Sequence, residues 1–153
     1  MTGADAPERP ASREYPARPI VGIGVVVLRP GAVLAIRRRR PPAQGSWSLP
    51  GGAQKLGETA KQAARRELRE ETGLEVGELL LAGQADSITR DPEGRVQYHY
   101  SIIDFAAAWT GGVPRAGGDA TEPRWLKFGE VNEYLSWSET RRIVLVAKEL
   151  LKY

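Results

Sequence analysis

Between Gly52 and Leu74 the sequence sets Gly52, Glu58, Arg66, Glu67, Leu68, Glu70, Glu71, Gly73 and Leu74 in the spacing Gly-x5-Glu-x7-Arg-Glu-Leu-x-Glu-Glu-x-Gly-Leu. Seven of these positions are Gly, Glu or Arg, types of roughly 5–10% usage, so agreement at a given start by chance is about one in 10⁸ or rarer. The stretch is rich in Ala, Leu, Glu, Lys, Gln and Arg, lacks Pro and interior Gly, and stops at Gly73, which predicts a helix from Glu58 to Thr72. At about 100° per residue, Glu67, Glu70 and Glu71 fall in one stripe, which runs back through Ala60, Ala63 and Ala64. Small side chains mark close packing, so the carboxylates sit on the face a helix normally buries.

Like charges three and four residues apart destabilise a helix by a few tenths of a kcal/mol per pair, and burying them unpaired costs far more. Such a stripe calls for a cation. Mg²⁺ takes oxygen ligands, keeps several waters and is completed by substrate phosphates, where it screens charge, stabilises a leaving oxygen and activates water. An exposed helix laced with Glu/Arg pairs is the plain alternative, and it leaves the glycines and the Ala-then-Glu stripe unexplained. Just upstream, Leu49-Pro50-Gly51-Gly52 reads as a turn whose glycines let backbone amides and carbonyls approach an ion or phosphate.

With these residues in hand, the sequence resembles the Nudix hydrolases: the signature segment is complete, and the likeness extends from about Pro19 to Leu151. The resemblance implies an α/β (α+β) fold, an α/β/α sandwich with a central mixed β-sheet, hydrolysing nucleoside diphosphates linked to another moiety with Mg²⁺, or Mn²⁺ as substitute. It implies Glu67, Glu70 and Glu71 as metal-binding carboxylates, the Gly51 carbonyl as a backbone ligand, and Arg66 as the residue orienting the glutamates. Catalysis would rest on Glu67, Arg66 and Glu70, with Glu67 as base or direct metal ligand. Glu58 is similar to the helix-start glutamate, a structural anchor at the positive helix end, and Gly73 closes the motif. A distal acid is expected before the Trp125 strand, Asp119 first and Glu122 second.

Substrate choice lies outside that segment. The closest likeness is to ADP-ribose pyrophosphatase-like members, yielding AMP and ribose 5-phosphate, although Pro92 is offset from the proline sometimes associated with that cleavage. The alternative is a MutT-like hydrolase of oxidised purine nucleoside triphosphates, against which Asn132 lies too early to read a purine before the last helix. A capped RNA or dinucleoside polyphosphate is a further substrate to test. A nucleotide-sensing module without turnover is the alternative of another class, disfavoured because every carboxylate is kept.

The chain has 153 residues and no Cys, enough for one domain without disulfide staples. Residues 1 to about 18 mix Pro, Ala and balanced charge without periodicity, predicting a flexible N-terminal extension before a hydrolase domain over 19–153. Neither a signal pattern nor an apolar run near 18 residues is present, so the expectation is a cytoplasmic protein with no membrane contact. No nucleic-acid-binding module is recognisable, and a homodimer is compatible with the sequence. Net charge is +3, yet Tyr15 through Gly57 holds Arg18, Arg29, Arg37, Arg38, Arg39, Arg40 and Lys55 with no Asp or Glu. This basic stretch feeds the glycine turn and suits a polyanion, with a solvated strand end and loop as the equal alternative for Arg37 to Arg40. At most two of Arg37 to Arg40 share one face of a strand, and Arg37 and Arg39, with Gly52, are the candidate substrate contacts.

Apolar runs Ile20 to Leu28 and Ala32 to Ile36, parted by Pro30-Gly31, predict two central strands. Trp47 to Leu49, Glu75 to Ala85, Val96 to Trp109 and Arg124 to Phe128 predict further strands, and Glu130 to Leu135 a helical turn. Ser138 is the expected cap of a last helix carrying Ile143, Val146, Ala147, Leu150 and Leu151. Tyr98 and Tyr100 share one strand face, opposite His99, and read as packed positions, with stacking on a base or lining a pocket as the alternative. The four tryptophans, Trp47, Trp109, Trp125 and Trp137, read as core or rim residues rather than a nucleobase cage, with Trp137, before the last helix, the one to test.

Overall fold

The computed structural model describes residues 13–41 and 43–153. The first run forms β1 (Ile20–Arg29), turns at Pro30-Gly31 and returns as β2 (Ala32–Arg38). Gly31 holds φ at 81°, a conformation that suits a residue without Cβ. The two strands pair only beside the turn, at Leu28↔Val33 and Arg29↔Ala32, and then diverge. The chain threads that fork: β3 (Trp47–Ser48) pairs with β2, and β4 (Gly51–Ala53) pairs with β1. This fork fixes where the glycine turn sits.

After α1 (Ala60–Thr72) come β5 (Leu80–Arg90), β6 (Val96–Ala108), β7 (Ala120–Lys127), a 3₁₀ turn Phe128–Glu130, α2 (Val131–Tyr134) and α3 (Ser138–Leu151). The sheet has seven strands along the order β3-β2-β1-β6-β5, with β4 added to β1 and β7 to β2. It is mixed, because β1 and β6 run parallel while the other pairs are antiparallel. Along β1, Ile23, Val25 and Val27 face α1 with Ala63, Ala64 and Leu68, whereas Val26 and Leu28 face α3 with Ile143, Val144 and Ala147. The result is an α/β/α sandwich, and the unbroken apolar runs follow from helices covering both faces of the central strands.

Several boundaries move. The helix expected from Glu58 starts at Ala60, because Thr59 caps it in a reciprocal box: its hydroxyl accepts from Gln62 N at 3.1 Å while Gln62 Oε1 accepts from Thr59 N at 2.8 Å. Glu58 thus lies outside the helix, and its carboxylate serves Arg66 rather than the helix end. Ser138 is the first residue of α3, not its cap; Trp137 holds that position without a side-chain cap bond. β5 begins at Leu80 rather than Glu75, and β7 begins at Ala120, running through Pro123, which costs no sheet bond at an edge position.

The flexible extension expected over 1–18 lies, for residues 1–12, outside the described residues. Tyr15 N donates to Gln97 O at 2.7 Å, and Tyr15 Oη donates to Asp91 Oδ2 at 2.8 Å, at the tip of the β5–β6 hairpin. Among the described residues no helix is long and apolar enough to cross a membrane.

Candidate active site

The acidic face of α1 is graded in depth. Glu71 is 3% exposed, Glu67 is largely covered, and the Glu70 side chain stands at 49%. The two deeper carboxylates are seated on the glycine turn. Glu71 Oε1 accepts from Gly51 N at 2.8 Å. A Cβ on Gly52 would stand 2.5 Å from the carboxyl carbon of Glu67, so glycine is what lets the strand and the carboxylate meet. Gly52→Ala is expected to push Glu67 aside with little change in melting temperature; were Glu67 the catalytic carboxylate that the resemblance implies, kcat would fall about 100-fold, the scale of effect of misplacing a reacting group by about 1 Å. Paired kinetics and thermal melts check this.

Arg66 binds the arrangement together. Its Nε and Nη2 donate to both oxygens of Glu58 at 2.8 and 2.7 Å, and Nη2 also donates to Ala53 O at 3.0 Å. Nη1 donates to Glu67 Oε1 at 2.7 Å and Glu70 Oε2 at 3.2 Å. The planar fork therefore joins the loop before α1 to two glutamates on it. Hydrogen bonds from Arg66, then from Lys55 N, hold the Glu58 carboxyl down at about 2.

Glu71 goes the other way. Burial raises it to about 8; the bond from Gly51 and the charge of Arg38 oppose the rise, while Glu67 and Asp119 add to it. Asp119 reaches this neighbourhood because Gly117 and Gly118 pack on the backbone carbonyl of Glu70, and Arg39 N donates to Asp119 O at 2.9 Å. Its carboxylate pairs with Arg40 at 3.1 Å. Of the two candidates for a distal acid, Asp119 is the one whose charge is felt at Glu71; Glu122 is exposed on β7, in register with Arg37.

The donor set suits a hard divalent ion. Glu67 and Glu71 converge on the backbone of one glycine strand, and Glu71 carries repulsion from two acids that a cation would relieve. Among the described residues, no three acidic or histidine side chains form a ready cage. Mg²⁺ does not require one, because it is commonly held by one or two carboxylates with water and phosphate completing the shell.

On the other side of β4 a cleft of about 510 Å³ opens between the sheet and the segment leading into α3. Gly51, Gly52 and Ala53 line it, as do Tyr100, Asp104 and Trp137. β4 is thus a partition: the glutamates lie against one side and the cleft against the other. Within the basic run Arg38 lines the cleft, while Arg37 Nε donates to Gly45 O at 2.9 Å. Trp137 was accessible to sequence reasoning; Asp104, sitting in an apolar run, was not.

The family that the chain matches is one of phosphoric-anhydride hydrolases. The chain matches the NUDIX domain over residues 18–146, and it belongs to that family. It is 32% identical over 130 residues to the "ADP-ribose pyrophosphatase" of Methanocaldococcus jannaschii, covering 78% of this chain and 75% of that one. It is 34% identical over 115 residues to the "Oxidized purine nucleoside triphosphate hydrolase" of Danio rerio, covering 75% and 70%. The MutT NUDIX hydrolase of Burkholderia pseudomallei superposes with a TM-score of 0.70 at 28% identity, over 84% of this chain and 97% of that one.

Proposed function

We propose that this NUDIX enzyme is a Mg²⁺-dependent nucleoside triphosphate pyrophosphohydrolase of the MutT-like kind. The observation that carries this reading is the partition at β4: a cleft of about 510 Å³, large enough for a nucleoside, backs directly onto the strand that seats Glu67 and Glu71. A nucleotide with its base in the cleft reaches past the glycines with its phosphates. The similarity to an oxidised-purine triphosphate hydrolase and to a MutT structure supports the same assignment.

Glu70 and Glu71, with the Gly51 carbonyl and Asp119, would hold the metal, which when bound neutralises phosphate charge and lowers the pKa of water. Arg66 holds Glu67 and Glu70 in position. Glu67 takes the proton from water as its oxygen bonds to phosphorus and the bridging P–O bond breaks, releasing nucleoside monophosphate and pyrophosphate. Arg38 at the cleft wall, with Arg37 and Arg39 on the same run, supplies positive potential for the polyphosphate.

ADP-ribose is the second reading, favoured by the name of the archaeal relative; cleavage would give AMP and ribose 5-phosphate. A panel of normal and oxidised nucleoside triphosphates, ADP-ribose and dinucleoside polyphosphates, with products identified and with EDTA as control, decides between them. Pyrophosphate release from a triphosphate at a kcat/KM at least about tenfold above that for ADP-ribose is expected, and the reverse order overturns the reading.

Metal binding must displace the proton from Glu71. Its folded pKa of about 8 exceeds the unfolded value of 4.5, so the folded chain binds a proton that the unfolded chain has lost. Stability of the metal-free protein therefore falls as pH rises from about 4.5 to about 8, then levels. Apparent Mg²⁺ affinity should climb through the same interval, with proton release near pH 7. Titration calorimetry in two buffers of different protonation enthalpy measures that release; equal heats would contradict it.

A further inference from the structure

One buried acid takes no part in the chemistry described at α1. Asp104 lies on β6 in register with Gly24 of β1, is 5% exposed, and lines the cleft. Its carboxyl occupies the space that a side chain at position 24 would need, since a Cβ on Gly24 would collide with Asp104 Oδ1. Among the described residues none donates a hydrogen bond to it. No side-chain nitrogen or oxygen there is both sealed from solvent and unpartnered, so the open side of this carboxyl is the cleft itself.

The charged groups that act on Asp104 both lie on α3. Arg142 attracts it, but Arg142 Nε and Nη2 are committed to Glu139 Oε2 at 3.0 and 2.6 Å, and Nη2 also to Gln84 O at 3.2 Å. Glu139 repels it. Burial raises the carboxyl to about 6, so slightly above neutral pH it is mainly a carboxylate with two acceptor oxygens and no donor. Such a group in a half-apolar cleft is costly until a ligand supplies N–H donors. Trp137, Tyr100 and Ile102 line the same space, with flat or apolar surface suited to a planar ring.

Resting on the nucleotide reading above, the geometry points to Asp104 as the base-reading residue: its two oxygens accept from the adjacent ring N–H and 2-amino group of a guanine or oxidised guanine. The choice follows from the pattern of donors. Adenine and cytosine present one amino donor beside a ring-nitrogen acceptor, which would face a carboxylate oxygen lone pair to lone pair. Uracil and thymine flank their one N–H with carbonyls. Hypoxanthine keeps the ring N–H and lacks the amino group, which makes it the sharpest probe.

The test compares kcat/KM for dGTP, 8-oxo-dGTP, dITP and dATP in the wild-type protein and in Asp104→Asn, with melting curves as fold control. Wild-type protein is expected to prefer a guanine nucleotide over dITP by about tenfold or more, chiefly through KM, as expected for a hydrogen bond to a charged group. In Asp104→Asn that preference should shrink to within about threefold, with the larger loss falling on the guanine nucleotides and read in KM. Equal wild-type rates on dGTP and dITP, a preference for dATP, or a uniform loss on every substrate in a folded variant overturns the assignment. Should Asp104→Asn not fold, the wild-type ratio of dGTP to dITP decides alone. If the wild-type protein cleaves none of the triphosphates but cleaves ADP-ribose, the triphosphate reading fails, a result distinct from loss of base choice among triphosphates.

Discussion

Glu71→Gln is expected to lower Mg²⁺-dependent turnover by about 10³-fold or more while leaving the protein folded, because on the proposed reading it removes a metal-binding charge at constant shape. The amide oxygen of Gln can still accept from Gly51 N, the bond Glu71 makes at 2.8 Å, so the contact between α1 and β4 survives. Burial keeps Glu71 protonated near neutral pH without metal, and a neutral amide mimics that state. The metal-free variant should therefore melt at or above the wild-type temperature at pH 8, where the wild-type residue has begun to ionise unpaired. Added Mg²⁺ should raise the melting temperature of the wild type more than that of the variant. Turnover within about tenfold of wild type would remove Glu71 from the metal site.

Arg66→Ala should be the most damaging change to the scaffold. It deletes hydrogen bonds to Glu58, Glu67, Glu70 and the Ala53 carbonyl at once, leaving three carboxylates without their shared counter-charge. Breaking a largely buried pair from one side costs about 3–5 kcal/mol, and this one anchors the loop to the helix as well. Denaturant unfolding should register a loss on that scale, and turnover should fall with it as Glu67 loses its orientation. Arg66→Lys keeps the charge without the fork, and should recover stability more than rate. The acid limb gives a second signature. Glu58 titrates at about 2 in the folded state against 4.5 unfolded, so its contribution is present above pH 4.5 and lost as pH falls through about 2. In Arg66→Ala that dependence should flatten. A variant as stable as wild type, with an unchanged acid limb, would show that the network carries no energy.

The spacing from Gly52 to Leu74 located the helix, its acidic face and its glycine stop, because each of those positions answers to a local constraint legible in residue order. Apolar runs located the central strands for the same reason. What residue order concealed were effects of pairing across the sheet. The Thr59-x-x-Gln62 box that closes the helix start is itself legible in residue order, but nothing there signals that the acid beside it turns to Arg66, eight residues on. Pro123 argues against a strand until β7 is known to pair along β2 alone. Asp104 hides in Ile102-Ile-Asp-Phe-Ala-Ala-Ala108, and its clue is one glycine, Gly24, far off in sequence, that turns out to lie beside it. Such a match needs the register of β1 against β6, which no window of sequence contains.

The short strand threaded through the fork between β1 and β2 also limits how this protein can diversify. Since Gly51 and Gly52 belong to two chambers at once, a change there alters grip and scission together. Novelty in what is recognised must come from β6 and the approach to α3, leaving the cutting edge untouched: one part of the molecule is free to experiment because another is held still.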